Sequence, residues 1–331
     1  MLITAVIIIM LVASVGIYRL TAQSISAVNT TPSPLPEAIP ISTPTPSPTP
    51  APTPNQAAFE REQARILAMD WGEQTELSFY IKNLETGESQ LYNNHAMNSA
   101  SMIKLFIMVE AFARDNDGTI KFTPEIENGV ELMITVSDNN ASRALTDLYY
   151  PQNIETVNLT LSGVKNASRF VMPVSFAGQG FSDSILERKM YDTSLPNIAG
   201  GRENLTSVED VAKLLEQIYN GECISEEASA RMLSLLQRQE LTYKIPHYLE
   251  GHYPFVEVAN KTGELNQVEN DAAIITGAGI EDFIFVIMVD SSSSVAQGDR
   301  LKNTIIDNIA EIALDLVAGF EKETNQTGIN Y

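Results

Sequence analysis

One cysteine, Cys223, is all that 331 residues contain, so no disulfide can close within the chain and no cysteine-based metal site can be built. Histidine is almost as scarce. His95, His247 and His252 show neither H-x-x-x-H nor H-E-x-x-H spacing, and no metal or cofactor is expected. Positive charge is also short: 21 Lys and Arg face 42 Asp and Glu, a formal net charge of −21. That balance argues against nucleic acid or an anionic membrane surface as a partner, and its simplest consequence is solubility. Aromatic residues make up only 7% against a hydrophobic content of 44%, so any core must be largely aliphatic.

At the N-terminus charge is missing altogether. Met1 to Tyr18 carries no charged side chain. A helix of that length reaches roughly 27 Å at about 1.5 Å per residue, close to the hydrocarbon thickness of a bilayer. Residues 1–20 are therefore expected to be a signal peptide or a signal anchor. The lone cysteine lies far from this segment, which speaks against a lipoprotein anchor. No Lys or Arg precedes the apolar run while Arg19 follows it, the reverse of the positive-inside arrangement. Residues 21–55 are rich in Pro, Thr and Ser, with proline at every second position from Pro44 to Pro54. Proline lacks an N–H and fixes φ, so this stretch reads as an extended linker. A stalk that holds a domain off a membrane and a passive spacer fit that composition equally. Residues 56–331 leave about 275 residues, enough for one large domain or two interleaved subdomains.

Apolar spacing predicts a helix over 57–69, two strands over 77–84 and 89–92 around Glu85-Thr86-Gly87-Glu88, and a helix running on from Ser101 toward Arg114. Thr206-Ser207-Val208-Glu209 reads as a capping box opening a helix to Tyr219. Three more strands follow at 256–261, 272–276 and 283–290, and an amphipathic helix closes the chain over 301–320. This order suits an α+β fold: a five-stranded antiparallel sheet flanked by terminal helices, with an inserted all-helical subdomain.

Three strings stand on those elements in a fixed order: Ser101-Met102-Ile103-Lys104, Ser137-Asp138-Asn139 and Lys261-Thr262-Gly263. An S-x-x-K arises by chance roughly once per few hundred residues and a K-T-G roughly once per several thousand, so the ordered set is far more specific than its parts. Together they supply an activated serine, a proton relay and an oxyanion strand, the equipment for acyl transfer through a covalent serine intermediate. On these motifs the chain resembles the penicillin-recognising serine enzymes, and within them the class A β-lactamases, over roughly residues 56 to 320.

The resemblance implies roles. Ser101 is the nucleophile and Lys104 its general base, provided burial and neighbouring cations keep part of the lysine neutral. Ser137 passes the proton to the leaving group, Lys261 holds Ser137, and Asn139 bonds the substrate amide and Lys104. Asp138 is structural. Thr262 and Gly263 contact substrate, and the backbone N–H groups of Ser101 and Glu264 form the oxyanion hole.

Departures from the family pattern matter as much. Where that family carries R-x-E, whose glutamate activates the deacylating water, Leu186-Glu187-Arg188-Lys189-Met190 places a methionine, and Glu187 and Asp192 are displaced from the position. No Lys or Arg occurs between Thr262 and Asp299, while Glu264, Glu269 and Asp271 follow the K-T-G closely. No cation is thus expected near Glu264, and an anionic substrate leans on Lys261 and Thr262 alone. The stretch from Lys104 to Ser137 is short and that from Ser137 to Arg188 long for the family, so a reshaped, more open cleft is expected.

The expectation is a monomeric extracytoplasmic serine hydrolase at the cell membrane, or secreted if the first segment is cleaved. It forms an acyl-enzyme on Ser101 with a β-lactam or peptidoglycan-derived substrate and releases it slowly. The alternatives are a penicillin-binding D,D-peptidase or esterase acting on cell-wall or neutral substrates, a non-hydrolytic β-lactam or muropeptide receptor, and a wall-binding module with vestigial motifs.

Overall fold

The computed structural model describes residues 54–150, 154–161, 164–171, 174–190, 203–294 and 298–322. The chain divides into two units, 1–50 and 51–331, and all described residues belong to the second. The expected anchor over 1–20, nearly all of the 21–55 linker and Asp192 lie outside them. Among the described residues no helix is long and apolar enough to cross a membrane.

The sheet is organised by its most apolar strand. Phe283–Asp290 (β11) runs Phe-Ile-Phe-Val-Ile-Met-Val without a polar break until its last residue, the composition of a strand covered on both faces. It lies at the centre of five antiparallel strands in the order β2-β1-β11-β10-β9, where β1 is Glu76–Asn83, β2 Ser89–Tyr92, β9 Val256–Glu264 and β10 Val268–Gly277. Side-chain alternation splits β11 between two cores. Phe283, Phe285, Ile287 and Val289 pack with Phe59 and Ile66 of α1 (Pro54–Ala68) and with Ile305, Ile309, Ile312 and Val317 of the closing helix, Asp299–Gly319. Ile284, Val286 and Met288 face the opposite core with Met102, Leu105 and Phe106. The five strands and the terminal helices on one face stand as the sequence predicted.

On the other face sit α2 (Lys104–Asp117), α3 (Pro124–Thr135), α4 (Asn139–Tyr149), α5 (Val208–Tyr219) and α6 (Glu226–Gln237). This insertion is helical in its body but not all-helical. A β-hairpin, β4 (Ile154–Leu161) with β5 (Val164–Val171), follows α4 and accounts for the long stretch between Ser137 and Arg188. A small sheet joins the two-residue strands β3 (Met97–Asn98), β6 (Val174–Ser175), β7 (Ile185–Leu186) and β8 (Leu205–Thr206). The cap of α5 is Ser207, whose hydroxyl accepts from the Asp210 N–H at 3.3 Å, one residue later than predicted, because Thr206 is taken up by pairing with Met97. A short helix, α7 (Leu249–His252), precedes β9, and Asp299–Gly319 is α8.

Edge strand β9 is held from behind by buried charge. Lys244 is fully buried; its amine donates to the Asn270 carbonyl at 3.0 Å and the Gly263 carbonyl at 3.3 Å, and pairs with the Glu269 carboxylate at 2.7 Å. Asp271, opposite Thr262 across the ladder, accepts from the Ile245 N–H and the Asn260 amide. Removing one partner of a buried pair strands the other's charge, whereas apolar replacement of both is often neutral. Lys244→Met should cost about 3 kcal/mol, the low end because Lys302 still reaches Glu269 at 3.0 Å, and the double variant Lys244→Met/Glu269→Leu should recover much of it. Calorimetry would register the single change as a fall in Tm of roughly 5–10 °C. A single variant melting with the wild type would show that the pair does not secure this edge.

Candidate active site

The position expected for the nucleophile is built from a tight turn. Ala100–Ile103 form one 3-10 turn that runs directly into α2, with the Met102 N–H donating to the Ser99 carbonyl at 2.9 Å. Ala100 sits at φ +45°, the left-handed region that residues with a Cβ avoid, and its N–H is held by Asn98 Oδ1 at 3.1 Å. Strain of this kind costs on the order of 1–3 kcal/mol and persists where surrounding structure over-determines it. It presents Ser101, half-buried, at a cleft of about 330 Å³ that Ser137, Asn139, Arg188, Met190, Leu241, Thr262, Glu264 and Leu265 also line.

Two buried amines meet at one hydroxyl. Lys104 Nζ donates to the Ser137 carbonyl at 2.6 Å, to Ser137 Oγ at 3.1 Å and to Asn139 Oδ1 at 2.7 Å. Lys261 Nζ reaches Ser137 Oγ at 3.0 Å and the Thr262 carbonyl at 2.9 Å. Both lysines are wholly buried. Burial pulls the Lys104 pKa down to about 7 against a small opposing pull from Asp138. Burial, and then the repulsion of Lys104, hold Lys261 well below the ordinary lysine value. Ser137 is itself at φ +57°, a second strained residue, pinned by these bonds. Asp138 caps α4, its carboxylate accepting the Ala141 N–H at 2.6 Å, which is the structural role expected of it.

The two N–H groups expected to form an oxyanion hole are both left unspent. At the free edge of the sheet, every second N–H of β9 points away from β10. The Leu265 N–H is spent on the Val268 carbonyl at 3.0 Å, so that of Glu264 turns outward. The Ser101 N–H lies in the first turn of its helix, where no intrahelical acceptor exists. Gly263 lets the two segments approach: a Cβ there would stand 2.7 Å from the Ser99 carbonyl oxygen and 3.2 Å from the Met102 nitrogen.

Opposite β9, the wall is fixed by a residue the sequence reading missed. Buried Asn204 accepts the Glu187 and Arg188 N–H groups at 2.9 Å each on its side-chain oxygen, and its carbonyl accepts the Ser99 N–H and hydroxyl. It ties the Arg188–Met190 wall to the turn before Ser101. Met190 lines the cleft with its sulfur 3.5 Å from the Asn204 amide nitrogen. Arg188 also lines the cleft, paired with Glu203 at 2.5 Å, and buried Lys189 pairs with Asp147.

One expectation is overturned. Lys302, just beyond the cation-free stretch, folds back from α8 to lie 3.6 Å from Glu264 and 3.0 Å from Glu269. The gap in sequence is therefore not a gap in space, because the sheet brings the start of the closing helix against β10.

The beta-lactamase enzyme family matches residues 59–128 and 121–317. The chain belongs to that family. Among solved structures, a β-lactamase from Sphaerobacter thermophilus is 20% identical with TM-score 0.59, over 79% of this chain and 97% of that one. PBP-A is 20% identical with TM-score 0.60, over 82% and 98%. An ancestral class A β-lactamase is 16% identical with TM-score 0.58, over 79% and 100%. These likenesses show the fold. No curated protein sequence matches the chain.

Within this beta-lactamase-family cleft, all the residues that the motifs singled out converge. Ser101, Ser137, Asn139, Thr262 and Glu264 line it, with Lys104 and Lys261 beneath. Among the described residues no group of His, Cys, Asp and Glu is arranged to hold a metal ion. The close approach at Gly263 generates a prediction. Gly263→Ala must push β9 from the Ser101 turn, and a displacement near 1 Å at a reacting centre is worth about a hundredfold in rate. Acylation should fall by about that factor with little change in Tm, read by rapid mixing with a chromogenic β-lactam. An unaltered rate would mean that the two donors do not act together.

Proposed function

We propose that the chain is a serine hydrolase that forms an acyl-enzyme on Ser101 with β-lactams or related amides and esters and releases it slowly. The observation that carries this reading is the Lys104 amine, buried and bonded to both Ser137 and Asn139, with its pKa near 7. A lysine at its ordinary value would be neutral in roughly one molecule in three thousand at pH 7; this one is neutral in about half. Neutral Lys104 takes the Ser101 proton as Oγ attacks the substrate carbonyl. The oxyanion forms against the N–H groups of Ser101 and Glu264, and Ser137 Oγ delivers its proton to the leaving nitrogen or oxygen as that bond breaks and takes the proton that Lys104 received from Ser101 in its place. Lys261 keeps the Ser137 hydroxyl oriented for this transfer. A variant of PBP-A, of the same fold, is described as an acyl-enzyme complex with penicillin G.

Slow release rests on Met190. A thioether takes no proton from water, and general-base assistance is typically worth 10²- to 10⁴-fold. Met190 stands in the cleft wall, while Glu187 is not among the residues lining it. The same feature favours a second reading, a β-lactam or muropeptide receptor in which lasting acylation is the signal. The apolar first segment and proline-rich linker support a tethered or secreted extracytoplasmic domain in either case.

Intact-protein mass spectrometry with a penicillin should show one equivalent bound at Ser101 for minutes or longer. Steady turnover faster than about one per second without adduct would refute slow release. Ser101→Ala should abolish labelling by a fluorescent penicillin, whereas Ser99→Ala should retain it, since Ser99 is buried and bonded to Asn204. Because only neutral Lys104 serves as base, the acylation rate should rise with pH through an inflection near 7 and level off above it. A flat profile from pH 5 to 9 would remove Lys104 from the base role.

A further inference from the structure

We propose that Glu264 is a specificity-determining residue: it rejects a substrate carboxylate on the leaving-group side of Ser101 and directs the cleft to amides or esters whose leaving group is neutral or carries an amine. The inference rests on the acyl-enzyme reading above and names its substrate class.

The geometry fixes where the leaving group goes. With the carbonyl oxygen between the N–H groups of Ser101 and Glu264, the leaving atom must face Ser137 Oγ to receive a proton. Ser137 is bonded to Lys261, and Thr262 is the next residue of β9. A substituent on the leaving atom therefore runs along the edge of β9 past Thr262. Glu264 is two residues on, on the same strand face as Thr262; it is among the residues lining the cleft, and its side chain, 3.6 Å from Lys302, is only partly buried.

Among the described residues, the cations beside β9 and Arg188 on the facing wall are already committed. The Lys261 amine donates to Ser137 Oγ and the Thr262 carbonyl. Lys302 is shared between Glu264 at 3.6 Å and Glu269 at 3.0 Å, and Lys244 is buried against Glu269 at 2.7 Å. Arg188, on the facing wall, is held by Glu203 at 2.5 Å. Behind the K-T-G, Lys244 and Lys302 pair with Glu269 and Glu264, Asp271 is held by the Ile245 N–H and the Asn260 amide, and of these three acids Glu264 is the one among the residues lining the cleft. A substrate carboxylate would be a fourth. Burial and then the charge of Glu269 raise the Glu264 pKa, against the opposing pull of Lys302, as crowding of negative charge requires. Like charges that share a partly buried site, at an effective dielectric of about 20, repel strongly enough to change a rate by about ten- to a hundredfold.

The test compares second-order acylation constants for penicillin G, its methyl ester and its diethylaminoethyl ester, each divided by that probe's alkaline hydrolysis rate to remove intrinsic reactivity. In the wild type both esters should acylate Ser101 at least about tenfold faster than the free acid, with the amino ester no slower than the methyl ester. Glu264→Gln should bring the acid-to-ester ratio to within about threefold of one, and Lys302→Gln, which removes the counter-ion at the surface, should widen the ester preference. The ratio is insensitive to how far either change alters Lys104, since both probes use the same base. A free acid reacting as fast as the esters in the wild type overturns the assignment, whatever the variants do. So does a ratio unchanged in a Glu264→Gln protein that melts with the wild type. No adduct from any of the probes or from a fluorophosphonate overturns the acyl-enzyme reading itself, and the selectivity with it.

Discussion

The Ser137 hydroxyl, held between the amines of Lys104 and Lys261, is the contact on which the rest of the cleft depends. Two ammonium groups cannot both be buried beside one neutral oxygen at ordinary lysine pKa values, since desolvation and mutual repulsion each oppose the charge. The fold meets the conflict by lowering the hold of both amines on their protons, Lys104 to a pKa of about 7. In the reading proposed above, that is what lets a buried lysine act as a base toward Ser101. The arrangement spans the layers of the molecule. Lys104 opens α2, Ser137 precedes α4 and Lys261 lies on the edge of the sheet, so the site exists only when the helical insertion is docked on β9.

Much of this was legible in the sequence because it follows local rules. Phe283 to Val289 announces a strand covered twice, and the ordered S-x-x-K, S-D-N and K-T-G strings mark the site, since each needs particular side chains at fixed spacing on its own element. Asp138 reads as a cap because capping is decided within four residues. What the sequence concealed depends on pairing between distant segments. Lys244 and Lys302 resemble ordinary lysines, and nothing nearby shows that one becomes wholly buried and the other turns back to Glu264. Asn204 gave no signal either, because its bonds go to Ser99, Glu187 and Arg188, residues that only tertiary structure brings together. Three acids crowded behind a K-T-G without a nearby base were the available hint that cations must come from elsewhere. The β4–β5 hairpin was not among the strands read from the sequence, which took the stretch after Ser137 only as long for the family.

Positive φ appears at two places in the site, Ala100 and Ser137, and neither residue is glycine. Glycine would adopt these angles without strain but would enlarge the unfolded ensemble and loosen the turn. Keeping a Cβ stores a small strain and fixes the turn, which suits the nucleophile role proposed for Ser101, whose hydroxyl must be presented before substrate arrives. The same reasoning runs in reverse at Gly263, whose backbone is not in the left-handed region. There the missing Cβ is needed for space, because the K-T-G strand must come within contact of the Ser99 carbonyl.

Strand β9 therefore answers to several constraints at once. Its outward N–H groups must remain unpaired, which requires that it stay the edge of the sheet. An exposed edge is ordinarily a liability for aggregation. In this chain the edge is closed from the front by the Ser101 turn and from behind by the buried pair of Lys244 with Glu269, so only a short length of it opens on the cleft. The carboxylates needed behind the strand to balance Lys244 and Lys302 set the electrostatic character of the cleft in front, since Glu264 belongs to both. Glu264 thus joins the two sides: its carboxylate helps to anchor Lys302 across the sheet, and the same residue lines the cleft.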